Sequence, residues 1–298
     1  MKKQDLWKGI SVVGMLSVMA ISAIAQKGTA KPIIFAVLND GKWLEPIAYV
    51  NKGKLTAPVN GSDDGNVVAA FDKTYYKPGT VYRLIFGGAN VGTVNVVSSN
   101  AKSDCAKNTA QITTTSSKTT LKGLVMGLGT NVPLKSTNAS YRRKPTVAEK
   151  EEIDALVKAE YAKQKLTPKV LHYQNLTAID VDNDGKAEFV GSYWVEIDKT
   201  TRGLLFFIAS KGSNGKYAVG YKEYKSIDQA NVMSGDIKAV DDGVLNELLL
   251  DTFDYDGDGT GEIFTYTQSF DGAGFNIYRK NGTKWTKVFD GSNYHCGY

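Results

Sequence analysis

The stretch LTAIDVDNDGKAEFV, residues 176–190, recurs further along the chain as LDTFDYDGDGTGEIF, residues 250–264. Both copies place an acidic, glycine-containing loop between short runs rich in β-branched and aromatic residues. Such runs, bounded by Asp, Asn and Gly, are typical of β-strands joined by turns. Each copy continues into an aromatic strand and a hairpin, whose turn lies at 215–217 or 282–285. A repeat of this length with several strands per unit predicts either propeller-blade-like units or two repeats packed as a sandwich.

The two acidic loops have the residue pattern of a calcium site. A hard cation such as calcium takes about six to eight oxygen ligands at ~2.3–2.6 Å, and alternate residues of a tightly curved loop can point inward together. Lys186 and Thr260 would ligate through their backbone carbonyls, so their side chains are free to vary. We predict two calcium ions, whose ligands are Asp180, Asp182, Asp184, Lys186 and Glu188 in the first loop and Asp254, Asp256, Asp258, Thr260 and Glu262 in the second.

The charge of the loops favours the same ion. Each loop carries four carboxylates within nine residues. Two like charges about 4 Å apart repel by ~4 kcal/mol at an effective dielectric constant of about 20, so closing such a loop without a cation is unfavourable. Magnesium prefers a small octahedral site that keeps its waters, and zinc and copper prefer His or Cys, which neither loop contains. The alternative is a pair of acidic Asp-Gly hairpin turns that bind no ion.

The pattern Asp-x-Asp-x-Asp-Gly-x-x-Glu between two strands resembles the calcium loops of FG-GAP or VCBS-type repeats. Those repeats are known from integrin-type β-propellers and many secreted bacterial proteins. The resemblance covers about residues 170–290, is specific in the two loops, and implies that the residues named above are the ligands. The loops differ from an EF-hand, which has an acid at its twelfth position, where this chain has Gly191 and Thr265.

Upstream of the repeat, the sequence predicts a β-rich region. Between residues 31 and 130, short β-branched and aromatic runs are separated by turn dipeptides. Residues 109–120 include eight Ser or Thr, and they predict either a Thr-rich edge strand or a flexible linker. The predicted strand runs are 32–38, 43–50, 67–71, 80–86 and 91–98.

One α-helix is predicted between this region and the repeat. Thr146 and Glu149 form a capping box after Pro145, and Thr167-Pro168 ends the helix. The basic run 142–144 precedes the helix and is interpreted as a solvated linker. The apolar residues that share one helical face are Ile153, Leu156, Val157 and Tyr161.

The N-terminus has the features of an export signal. Three lysines precede residues 9–25, an uncharged run that ends in Ala-Ile-Ala, the small-x-small pattern of a signal-peptidase site. The run is short for a membrane span of ~20 residues, although a membrane anchor is the alternative. We therefore predict a secreted or periplasmic, mainly β protein. Its segments are a signal peptide at 1–25, a β-rich N-terminal domain at 26–140, a linker and helix at 141–168, and a tandem-repeat calcium-binding β domain at 169–298.

The chain has two cysteines, Cys105 and Cys296. In an oxidising compartment such a pair predicts a disulfide, and two unpaired buried thiols are the alternative. His295 adjoins Cys296, but a disulfide would exclude a Cys–His nucleophile at this position.

Composition narrows the functional classes. Lys plus Arg number 36 against 31 for Asp plus Glu, a net charge of +5 that is too mild to indicate nucleic-acid binding. No stable membrane insertion is predicted after signal cleavage. The sequence contains no nucleophile elbow, zinc-protease helix or phosphate loop, so no catalytic residue is predicted.

The favoured function is a secreted calcium-binding protein that acts as a binding or scaffold module for an extracellular glycan or protein. The alternative is an extracellular polysaccharide-active hydrolase or lyase with structural calcium, which would use carboxylates outside the loops such as Glu196, Asp198 or Glu247. Aromatic residues of the repeat would form either a sugar-stacking surface or, as is more common, the core of the sheets. These aromatic residues are Tyr193, Trp194, Tyr266, Phe270, Phe275, Trp285 and Tyr294.

Overall fold

The computed structural model of the protein describes residues 30–59, 64–134 and 141–296. The predicted signal peptide, residues 1–25, lies outside the described residues. Within them the chain is mainly β, as predicted, and contains no helix of the length and apolarity that a membrane crossing needs. The helices are α1 Gly65–Tyr75, α2 Val147–Lys163 and α3 Lys238–Asp241, with a short 3-10 turn at Gln229–Asn231. The strands are β1 Ile33–Leu38, β2 Trp43–Asn51, β3 Lys54–Thr56, β4 Val81–Phe86, β5 Ala89–Ser99, β6 Ala110–Ser116, β7 Gly127–Thr130, β8 Arg142–Arg143, β9 His172–Ile179, β10 Glu188–Glu196, β11 Thr201–Lys211, β12 Tyr217–Asp228, β13 Glu247–Phe253, β14 Glu262–Gln268, β15 Gly272–Asn281 and β16 Lys284–Tyr294.

The N-terminal strands close into a six-stranded antiparallel barrel. Its order is β1-β7-β4-β5-β6-β2, and β2 pairs back with β1 to close the ring, while β3 extends from β2. Alternate residues of a strand point to opposite faces. Phe35 and Val37 pack with residues of α1, whereas Ile34 and Ala36 pack against the last four strands. Strand β1 is buried along its whole length because both of its faces are covered.

Helix α1 lies where the sequence analysis predicted a strand at 67–71, so that prediction was wrong. The Asp64 side chain caps the helix by accepting a hydrogen bond from a backbone N–H at 2.9 Å. Val68, Phe71 and Tyr75 are buried on one face at helical spacing. In the described residues, α1 and α3 add two helices to the one linking helix that the sequence predicts.

The predicted helix is confirmed as α2. Thr146 and Glu149 form both hydrogen bonds of the capping box. Ile153, Val157 and Tyr161 bury one face of α2 against the sheet that contains β9–β12. The Thr-rich segment forms strand β6. This strand pairs with both β5 and β2, so it is an internal barrel strand rather than an edge strand or a linker.

The C-terminal half contains two sheets that are each built from four consecutive antiparallel strands. The first sheet has the order β12-β11-β10-β9, and the short strand β8 pairs with β9 at its edge. The second sheet has the order β13-β14-β15-β16. In each sheet an acidic loop joins the first two strands of the unit, at 180–187 between β9 and β10 and at 254–261 between β13 and β14. A shared apolar cluster that includes Val190, Phe206, Ile263 and Tyr278 holds the two sheets together. The aromatic residues Tyr193, Phe275 and Trp285 are buried in the cores.

Arg142, the first residue of the basic run 142–144, is not solvated, which corrects the sequence prediction for this residue, whereas Lys144 is exposed. Strand β8 pairs with β9, and the Arg142 side chain is only 8% exposed and lies 3.6 Å from the wholly buried Asp251. Arg142 also donates to two backbone carbonyls. Asp251 accepts a hydrogen bond of 2.9 Å from the N–H of Gly87, in the turn between β4 and β5. This buried ion pair therefore links the barrel to both C-terminal sheets.

Cys105 and Cys296 form the predicted disulfide, with their Cα atoms 5.3 Å apart. Cys105 lies in the connection between β5 and β6, so the bond fixes the C-terminal segment to the barrel. Because Cys296 is bonded, it is not available as a nucleophile beside His295.

Candidate metal centre

The structure gathers three carboxylates in each acidic loop. Asp180, Asp182 and Glu188 each place one oxygen within 4.8 Å of the others, and Asp254, Asp256 and Glu262 do the same. These residues occupy the first, third and ninth positions of their loops. Glu188 begins β10 and Glu262 begins β14, so the first residue of a strand completes each group.

A left-handed glycine shapes both loops at the sixth position. Gly185 has a φ of 78° and Gly259 a φ of 97°, in the region that residues with a Cβ rarely adopt. The turn is held from within the loop, because Asp180 Oδ2 accepts the Gly185 N–H at 3.0 Å and Asp254 Oδ2 accepts the Gly259 N–H at 3.0 Å. Asp180 therefore uses one oxygen to fix the backbone, whereas Asp254 uses both, because its Oδ1 also accepts the N–H of Gly257 at 2.5 Å and of Asp258 at 3.1 Å.

Two consecutive cations on β15 neutralise part of each group. Lys280 Nζ lies 2.7 Å from Asp182 Oδ2 and 2.6 Å from Glu188 Oε1. Arg279 reaches the other loop, with its Nε 2.9 Å from Glu262 Oε1 and its terminal nitrogen 2.5 Å from Asp256 Oδ2. Because neighbouring strand residues point to opposite faces, a single strand supplies one cation to each loop. Sequence reasoning missed both residues, which lie far from the first loop in the chain.

Other carboxylate oxygens in the loops have no donor. Asp180 Oδ1, Asp182 Oδ1 and Glu262 Oε2 are buried without a hydrogen-bond partner in the part of the chain that the structure describes. Glu262 is itself only 2% exposed. A buried acceptor without a donor or cation is unfavourable. A cluster of carboxylate oxygens is the donor set of a hard divalent cation, so the residues fit calcium.

The electrostatics of the loops agree with this fit. Burial raises the pKa of Glu262 to about 8, with a further contribution from Asp256 and Asp258, although Arg279 opposes the shift. Burial also raises the pKa of Glu188. The raised pKa values mean that the closed loops disfavour their full negative charge, which a divalent cation would compensate.

Asp184 and Asp258 lie outside the two groups of three. Both are exposed, and each accepts a hydrogen bond of 2.8 Å from the backbone N–H two residues later. Asp184 also pairs with Lys186 at 3.1 Å. The role of the Lys186 and Thr260 backbone carbonyls as ligands stays a prediction.

The two loops are direct neighbours. The Gly261 N–H donates to the Val181 carbonyl at 2.6 Å. A small cavity of about 30 Å³ lies between the loops and is lined by Asp180 and Asp254, together with Gly87 of the barrel turn. The two loops and the barrel turn therefore lie next to one another.

The carboxylates predicted for the enzymatic alternative lie elsewhere. Glu247 is buried, and its Oε1 accepts hydrogen bonds from Thr265 at 2.6 Å, Asn276 at 3.0 Å and Tyr278 at 2.7 Å. Glu196 and Asp198 are exposed at the turn between β10 and β11. The three donors give Glu247 a structural role within its sheet.

No family model matches the chain, and no curated protein or solved structure matches it. The resemblance to FG-GAP or VCBS-type calcium loops therefore rests on the residues of the two loops.

The substitution Lys280→Met is expected to destabilise the calcium-free protein much more than the calcium-loaded protein. Without calcium, Lys280 is the cation that neutralises Glu188, whose side chain is 3% exposed, and removing one partner of a buried pair costs roughly 3 kcal/mol. Calcium would supply the missing positive charge, so we expect less than half of that loss when it is present. Urea unfolding in EDTA and in calcium measures both values.

The control is Lys186→Met, which removes an exposed lysine paired with Asp184. Its effect should stay below about 1 kcal/mol in both buffers, as for other surface pairs. Equal losses for Lys280→Met in EDTA and in calcium would contradict the interpretation.

Proposed function

We propose that this protein is an exported calcium-binding protein in which two ions, one in each acidic loop, fix the two C-terminal sheets. The observation that carries the proposal is the pair of equivalent carboxylate groups with buried, unpartnered oxygens. A single acidic loop could be an Asp-Gly turn that binds no ion. Here the carboxylates at the same three loop positions come together twice, at the same place in two four-stranded units. This equivalence supports the proposal that the units are repeats of the FG-GAP or VCBS type, arranged as propeller-like blades or as a sandwich.

The proposed ligand set combines the convergent side chains with the remaining predicted positions. Asp180, Asp182 and Glu188 provide the central oxygens of the first site, and Asp254, Asp256 and Glu262 those of the second. Asp184 and Asp258, with the backbone carbonyls of Lys186 and Thr260, would complete the coordination that calcium requires.

Export is supported by two independent features. The Cys105–Cys296 disulfide is typical of proteins that mature in an oxidising compartment. Residues 1–25 have the pattern of a cleaved signal. We therefore place the mature protein in the periplasm or outside the cell, where calcium is abundant enough for moderate-affinity sites to fill.

We favour a binding or scaffold module over the alternative hydrolase or lyase. A glycoside hydrolase needs two carboxylates about 5–9 Å apart beside an open cleft. Glu247 already accepts three hydrogen bonds inside its sheet. Calcium would make the surface around the loops rigid and so preorganise it for an extracellular glycan or protein.

Isothermal titration with calcium tests the ligand assignment. The chain should bind two ions, and Asp182→Ala and Asp256→Ala should each remove one, because each carboxylate belongs to one group of three. The matched control is Thr260→Ala, which changes a loop side chain outside both groups and should leave the stoichiometry at two. A stoichiometry of two in both Asp variants would reject the assignment.

A further inference from the structure

A second polar site lies between the barrel and the last sheet, away from the acidic loops. A cavity of about 400 Å³ opens between the β1–β2 hairpin and the β14–β15 hairpin. This volume lies within the range of small-molecule sites, which begins at about 300 Å³. Its lining includes Glu45 and His295, three aromatic rings and several neutral polar side chains.

Glu45 is the feature of this cavity that needs explanation. It is wholly buried on β2, within a strand that is otherwise apolar on that stretch. Its Oε1 accepts a hydrogen bond from Asn293 at 3.0 Å and lies 2.8 Å from His295 Nε2. Its Oε2 has no hydrogen-bond partner among the described residues. A buried carboxylate oxygen left without a donor is unfavourable unless a ligand provides one.

The C-terminal disulfide holds this arrangement in place. Cys296 follows His295 directly and is bonded to Cys105 of the barrel. The backbone N–H of His295 donates a hydrogen bond to the backbone carbonyl of Asp271 at 2.7 Å. The hydrogen bond to Glu45 raises the pKa of His295, and burial of the ring opposes this shift.

The rest of the lining indicates a neutral ligand with both apolar faces and hydroxyl donors. Trp43, Tyr266 and Phe270 are partly exposed, so their rings offer flat apolar surfaces. Gln268 and Ser269 add neutral polar groups. Among the described residues that line the cavity there is no Lys or Arg for an anion and no second carboxylate for a cation. A sugar ring presents C–H faces and several hydroxyl donors, which match these two kinds of surface.

We propose that the cavity binds one or two sugar residues of a neutral glycan, with Glu45 Oε2 accepting a hydrogen bond from a sugar hydroxyl and the aromatic rings stacking on the sugar. The proposal rests on the binding-module function proposed above and names its ligand class. It does not require calcium in the loops, because no loop ligand lines the cavity.

The test is a titration of the full chain with the methyl glycosides of glucose, galactose, mannose and N-acetylglucosamine. Saturation-transfer NMR and tryptophan fluorescence report binding, since Trp43 lines the cavity. We expect at least one glycoside to bind saturably below roughly 20 mM, a range that detects millimolar dissociation constants. Glu45→Gln and Phe270→Ala should each weaken it about tenfold, a change of ~1.4 kcal/mol. The control Tyr173→Ala removes an exposed ring elsewhere and should leave binding unchanged.

Several results would overturn the proposal. They are the absence of binding by all four glycosides, an unchanged affinity in Phe270→Ala, or binding of tetramethylammonium in place of the glycosides. If Glu45→Gln does not fold, Phe270→Ala decides, because Phe270 is only partly buried at the cavity. A parallel calcium titration separates the two proposals: calcium binding without glycoside binding rejects only the sugar site, and the reverse rejects only the metal centre.

Discussion

Removing calcium with EDTA is expected to lower the midpoint of thermal unfolding by roughly 10 °C, because each kcal/mol is worth about 2 °C in a protein of this size. An ion that binds only the folded chain stabilises it by about 2.7 kcal/mol when its free concentration is 100 times the dissociation constant. Two filled sites would contribute about 5 kcal/mol. The loss should be large because each loop would be left with buried oxygens that lack a partner.

Differential scanning calorimetry in metal-stripped buffer, with calcium then restored, measures this shift. Asp182→Ala and Asp256→Ala should each lose about half of the calcium-dependent stabilisation, because each removes one of two sites. Magnesium at the same concentration should restore little, since it binds reluctantly in loops of this kind. An unfolding midpoint that is the same with EDTA and with calcium would refute the stabilising role.

Loss of the disulfide is expected to lower the free energy of unfolding by about 2–5 kcal/mol. Cys105 and Cys296 are 191 residues apart, so the bond closes a very long loop and restricts the unfolded chain strongly. In the folded state it also fixes the segment that carries His295. Urea unfolding of Cys105→Ser, Cys296→Ser and the double variant measures the effect.

The two single variants provide the control for the double variant. Each single substitution breaks the same bond, so the three variants should agree within about 0.5 kcal/mol. The wild-type protein should shift to the same stability after reduction. A urea midpoint that does not move on reduction would show that the bond contributes nothing to stability.

The parts of the fold that could be predicted were those set by local sequence. The capping box of Thr146 and Glu149 acts within a few residues, and it is found where it was expected. Helix α1 was not predicted, because its local sequence favours a strand. Its β-branched and aromatic residues fit strand propensity. The features that identify it as a helix are the N-cap at Asp64 and the burial of Tyr75 one helical turn after Phe71.

The parts that could not be predicted depend on distant residues meeting in space. Lys280 reaches Glu188 across 92 positions and His295 reaches Glu45 across 250. Glu45 occupies one position in an apolar strand, where nothing local shows that it faces a cavity rather than solvent. Arg142 was interpreted as solvated because a basic run before a helix is usually exposed, yet its side chain is buried beside Asp251.

The adjacency of Arg279 and Lys280 on β15 has a thermodynamic consequence for the two ions. If displacing one of these side chains shifts the peptide bond that the two residues share, the position of the other side chain changes as well. The ion that enters second would then meet a strand already adjusted by the first. Linkage requires this influence to be mutual, so titration curves for the two loops should be interdependent rather than the sum of two isolated sites.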